Sequence, residues 1–82
     1  MDTTEDLIDQ PHHYARHAIQ PIEFIMRNYM PFHTGNIIKY ASRAGYKLYP
    51  GMSAAESEVT DLRKVIRYAE MRINQLTGSD NL

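Results

Sequence analysis

The sequence predicts a small all-α domain of about three helices, the last of them long. Three observations carry that expectation. No segment alternates apolar and polar residues for long enough to make a strand, two proline-bounded stretches repeat apolar residues at helical spacing, and residues 55–76 sustain a heptad-like pattern.

The elements follow in order. Residues 1–10 form an acidic lead-in, in which Asp2, Glu5, Asp6 and Asp9 give a local charge of −4. Pro11 breaks any helix there, and His12 to Gln20 show no clear period, so this stretch reads as an irregular arm. Pro21 suits the first position of a helix, because its missing N–H would have no partner at that point. Ile22, Ile25, Met26 and Tyr29 follow at helical spacing until Pro31 ends the run. A second helix is expected with Thr34 as its cap, Gly35 and Asn36 in its first turn and Gly45 at its end.

After the turn residues Pro50 and Gly51, Ser53 and Glu56 make an S-x-x-E capping box for the third helix. Ala55, Val59, Leu62, Ile66, Ala69, Ile73 and Leu76 then line one seam, and the helix is expected to stop near Thr77-Gly78. Residues 11–77 thus read as one domain and 78–82 as a loose tail. So short a chain buries a modest core, and it has no cysteine for a disulfide or thiolate metal site. Self-association through the long helix is the expected remedy, giving a homo-oligomer.

Composition excludes several classes. No apolar run reaches the roughly 18–20 residues of a membrane span, and the acidic start is unlike a signal peptide, so a cytoplasmic protein without membrane partners is expected. The net charge of −1 does not suggest a binder of duplex nucleic acid. Its distribution is more telling. Residues 11–49 carry Arg16, Arg27, Lys39, Arg43 and Lys47 against Glu23, for a local charge of +4 that suits a small anion.

On a helical wheel the second helix separates Ile37, Ala41, Ala44 and Leu48 from a polar arc of Asn36, Lys39, Tyr40, Arg43 and Lys47. The third helix carries a stripe of Asp61, Lys64, Tyr68 and Arg72 beside its seam. If the two helices pack by their apolar arcs, the polar stripes meet at the rim of one groove. Lysine and arginine there would hold phosphate oxygens, the amides at the helix start near Gly35 would add donors, and Tyr40, Tyr68 and Asn36 would orient a base or sugar. Each feature is also compatible with an ordinary solvated helix face. The histidines are not arranged as a metal site, and none is predicted. Glu58 and Asp61, three apart, would suit magnesium only with a second acidic pair on a facing helix, where Lys39 stands instead.

The ordered residues Pro11, His13 and Tyr14, then Gly35, Asn36, Lys39, Tyr40, Arg43, Gly45 and Lys47, then Asp61, Leu62, Lys64, Tyr68 and Glu70 resemble the phage SaV-like family. That family is related to the nucleotide kinase of T-odd coliphages, and the resemblance covers about residues 10–75. It implies a phage protein of the infected bacterial cytoplasm that binds nucleotides, in the form of a nucleoside monophosphate kinase without a P-loop. On that reading Lys39, Arg43, Lys47 and Lys64 bind phosphates, and Asn36, Tyr40 and Tyr68 contact base or sugar. Gly35 and Tyr14 belong to the same site, while His13 and Asp61 fill the catalytic positions, Asp61 by positioning Lys64 or Arg43. A nucleoside triphosphate is the implied co-substrate, and nothing in the sequence requires magnesium.

Two alternatives stay open. One is a protein without turnover that sequesters a host nucleotide signal or binds a host defence protein. The other is a magnesium-dependent nucleotide pyrophosphatase built on Glu58 and Asp61. Arg67 departs from the aromatic residue common before the family's tyrosine, and the segment LYPGMSAAESEV lengthens the loop between the matching blocks.

Overall fold

Proline decides where the first two helices begin. The computed structural model describes residues 17–79 and shows three helices: α1 (Pro21–Arg27), α2 (Phe32–Arg43) and α3 (Ala54–Leu76), with no strand among the described residues. The acidic lead-in, the arm residues His13 and Tyr14 and the last three residues lie outside that range. No helix of the described residues is long and apolar enough to cross a membrane.

Pro21 is the first residue of α1, after an extended Gln20. Glu23 and Arg27 pair at 2.9 Å one turn apart, each at the end of the helix dipole that favours its charge. The helix closes at Asn28, and Tyr29 takes a φ of +51°. Tyr29 N–H then donates to the Met26 carbonyl and Met30 N–H to that of Ile25, the paired closure of a Schellman motif. This places a tyrosine where glycine would be relaxed.

Pro31 does more than end the preceding run. It is the N-cap of α2, which starts at Phe32, so Thr34 lies inside the first turn and does not cap the helix as the sequence suggested. Phe32 can start a helix without a capping side chain because its neighbour's ring already fixes the approach. Gly35 is buried, and a Cβ there would stand 2.9 Å from Ile25 Cγ2. Its role is close packing of α1 on α2. At the other end Gly45, with φ +89°, reverses the chain just after Ala44, as expected.

The capping box of α3 is formed in both directions. Glu56 N–H donates to Ser53 Oγ at 3.0 Å and Ser53 N–H to Glu56 Oε1 at 2.7 Å. That bonding holds the Glu56 carboxyl below its ordinary value of 4.5. The helix ends at Thr77, with Gly78 at φ +77°.

One expectation about packing is overturned. Helices α2 and α3 meet through their polar faces: the Arg43 and Asp61 side chains lie between them, and Tyr68 touches both Phe32 and Tyr40. Of the apolar arc, Ile37 and Ala44 are half-buried and Ala41 is exposed, with Leu48 67% exposed beyond the helix. No hydrophobic residue among those described is buried, whereas Arg43, Ser57 and Asp61 are. An internal polar network takes the place of an oily core between these helices.

Candidate functional site

The site grows from the spacing of Ser57, Asp61, Lys64 and Tyr68, which are four, three and four residues apart and so share one face of α3. Facing them are Phe32, Lys39, Tyr40 and Arg43 on α2. The loop after α2 returns across the top, where Tyr49 N–H donates to the buried Ser57 Oγ at 2.9 Å.

At the centre Asp61 is fully buried. Its Oδ1 accepts from Arg43 Nε at 3.3 Å and from the Tyr49 hydroxyl, while Oδ2 is buried without a partner. Arg43 also donates through Nη2 to the Tyr49 oxygen, and Lys64 Nζ donates to the same oxygen at 2.9 Å. The Tyr49 hydroxyl therefore links two cations to one carboxylate. Its bond to Lys64 is the main reason that ammonium is held above its ordinary value of 10.5, against the opposing pull of desolvation.

Two aromatic surfaces complete the cluster. Tyr40 stacks on Tyr68 with ring centres 5.8 Å apart and planes 7° from parallel, and Phe32 meets Tyr68 edge-on at 5.9 Å. The Arg43 guanidinium stands 4.6 Å from the Tyr40 ring centre, with Lys64 at 4.8 Å and Lys39 at 5.3 Å. Around the Tyr49 ring lie Lys64 at 4.8 Å, Lys47 at 5.5 Å and Arg43 at 5.6 Å. Ring quadrupoles thus hold four cationic heads close together.

Most of the residues singled out from sequence do converge: Lys39, Tyr40, Arg43, Lys47, Asp61, Lys64 and Tyr68. Others point elsewhere. Asn36 Nδ2 donates to the Phe32 carbonyl at 2.9 Å, inside its own helix. Gly35 N–H donates to the Pro31 carbonyl at 2.9 Å, so the helix start expected there as a free donor surface lies earlier in the chain. Arg43 donates within the protein, through Nε to Asp61 and through Nη2 to Tyr49, where the sequence suggested contacts to phosphate oxygens. Asp61 holds Arg43 directly and Lys64 through Tyr49.

Tyr49 and Ser57 of this cluster do not stand out in the sequence. Tyr49 sits in a turn between two helices, with no periodicity to mark it, and Ser57 reads as an ordinary helix residue. The one available clue was the four-residue step from Ser57 to Asp61.

Chemically, the cluster offers three half-buried ammonium heads, Lys39, Lys47 and Lys64, beside aromatic rings. It offers no accessible carboxylate of its own. Glu58 and Asp61 do not present a pair of oxygens to a metal, since Asp61 is sealed from solvent and already bonded. Among the described residues no three histidine, aspartate or glutamate side chains gather as a metal site.

The family described as a protein of unknown function, DUF3310, matches residues 8–70, a span that includes α1, α2, the cluster and most of α3. The chain belongs to that family. No curated protein and no solved structure matches it.

Proposed function

We propose, with membership of DUF3310 as the premise, that this chain binds a phosphorylated nucleotide through the cation and tyrosine cluster between α2 and α3. One observation carries the reading: Lys39, Arg43, Lys47 and Lys64 crowd two tyrosine rings while a single carboxylate, Asp61, lies in hydrogen-bonding contact with the group. Four positive charges against one leave an excess that an anion with several negative oxygens would offset.

Arg43 and Asp61 supply the frame, and Lys39, Lys47 and Lys64 supply the contacts to phosphate. The edges of Tyr40 and Tyr49 supply apolar surface for a base or sugar. Asp61 is sealed from solvent and so is not available as a general base, which favours binding without turnover, as in a phage protein that sequesters a nucleotide signal in the infected cell. Transfer of a phosphoryl group, the kinase activity that the SaV-like resemblance implies, would draw on His13, which lies outside the described residues.

The test is calorimetric titration with nucleoside mono-, di- and triphosphates and cyclic nucleotides, with and without magnesium, followed by chromatography of each mixture. Binding at micromolar concentration with an unchanged ligand supports the proposal; a new diphosphate would mark a kinase. Lys39→Ala and Lys47→Ala are each expected to weaken binding about tenfold, roughly the value of one charge-assisted hydrogen bond. Unaltered affinity in both, or no binding by the parent chain to any nucleotide, would refute the assignment.

A further inference from the structure

The apolar seam of α3 has no partner among the described residues. Val59, Leu62, Ile66, Ile73 and Leu76 are 44% to 68% exposed, although their spacing is that of a packed helix. The reason is geometric. Ser57, Asp61, Lys64 and Tyr68 take the inward position against α2, and the seam lies roughly 140° away around the same helix at 100° per residue.

We propose that this seam pairs in parallel with the same seam of a second copy of the chain, as a short two-stranded coiled coil. The pattern selects that occupant. Val59, Ile66 and Ile73 take one heptad position and Leu62, Ala69 and Leu76 the other, with Ala55 continuing the second toward the helix start. In a parallel coiled coil, a β-branched residue at every a position with leucine at two of the d positions, Leu62 and Leu76, favours two strands.

The charges beside the seam agree. Glu58 takes a g position and Arg63 the following e position, which face each other across a parallel pair and have opposite signs. The other g to e steps, Val65 to Glu70 and Arg72 to Thr77, bring no like charges together. A second copy thus covers the seam without introducing repulsion along it.

The energetic context is equally specific. No hydrophobic residue is fully buried among those described, and this seam is the longest apolar stripe on the described helices. Pairing supplies a dry interface on the face opposite the cation and tyrosine cluster, leaving that cluster accessible. It adds the core that the polar contact between α2 and α3 does not provide.

Two measurements on the full chain test this. Light scattering from micromolar to tens of micromolar is expected to give twice the 9.5 kDa chain mass; a monomer throughout would overturn the proposal, as would a larger assembly. Because the chain has no cysteine, Leu62→Cys reports orientation cleanly. In a parallel pair the two substituted positions face each other within disulfide reach, so mild oxidation should link most of the protein, whereas Gln75→Cys, off the seam, should remain unlinked. A dimer that fails to crosslink at position 62, or links equally well at position 75, would overturn the parallel arrangement. Ile66→Asp should lower the dimer fraction at least tenfold at fixed concentration, and retention of the parent mass would count against the seam.

Discussion

Removing Arg43 should expose how much of this fold rests on one buried charge pair. Asp61 is fully buried, its Oδ2 has no partner, and Oδ1 depends on Arg43 and Tyr49 alone. In Arg43→Met the carboxylate keeps only the tyrosine hydroxyl. Breaking a buried pair from one side costs about 3–5 kcal/mol, and the remaining hydroxyl places the expected loss near the lower end, about 3 kcal/mol. A chain of this length has a total stability of about 4–12 kcal/mol, so the variant should lose a quarter or more of it.

Urea unfolding followed by circular dichroism at one fixed protein concentration measures the loss. With a slope of about 1–1.5 kcal/mol/M for so small a domain, the midpoint should fall by about 2–3 M. The double variant Arg43→Met with Asp61→Leu should recover most of that, because a well-packed apolar pair avoids the desolvation of both charges. A single-variant loss below about 1 kcal/mol, the value of an exposed pair, would refute the reasoning. So would a double variant no more stable than Arg43→Met.

Other consequences follow from individual residues. Tyr29→Gly should stabilise the chain by about 0.5–1 kcal/mol in the same urea assay, because it relieves the positive φ at the end of α1 on an exposed side chain. Gly35→Ala should cost about 1–3 kcal/mol, since its Cβ would force Ile25 to move, and the loss should be smaller in the Gly35→Ala/Ile25→Val double variant. Ser53→Ala should remove about 1 kcal/mol at neutral pH by deleting the cap of α3. The carboxyl of Glu56 is held low in the folded chain, so its contribution is present above about 4.5 and lost as the pH falls through the folded value; the acid side of the stability profile should flatten in Glu56→Ala. Lys64 is shifted the other way, upward, so its bond to Tyr49 should contribute up to about pH 10.5 and be lost in more alkaline solution, a change absent from Tyr49→Phe.

How much of this was legible before folding varies with the range of the interaction involved. Pro21, Gly45 and the Ser53–Glu56 box act within a turn of their own position, and each does in the structure what its local chemistry predicts. Pro31 shows the limit. Its local chemistry marks the end of one helix, yet it is also the cap of the next, because a proline that cannot continue a helix can still begin one.

Among the site residues, the polar types at helical spacing were visible, but their direction was not. Wheel geometry establishes that Lys39, Tyr40 and Arg43 share an arc; it does not say whether that arc faces water or another helix. The usual preference for apolar contacts suggested the wrong face. Tyr49 was invisible for a different reason. It joins the network across intervals of 6, 12 and 15 residues, through a loop with no pattern of its own.

By itself, then, the order of residues determined three helices, the proline start of α1, the capping box of α3 and the two stripes of α3, because hydrogen bonding within a turn and side-chain period are properties of neighbours in sequence. Only the tertiary structure decided which stripe turns inward. Asp61 and Arg43 each require the other once removed from water, and that demand is met only where α2 and α3 meet. Aliphatic side chains impose no comparable directional requirement, so the seam of α3 is the face left outward.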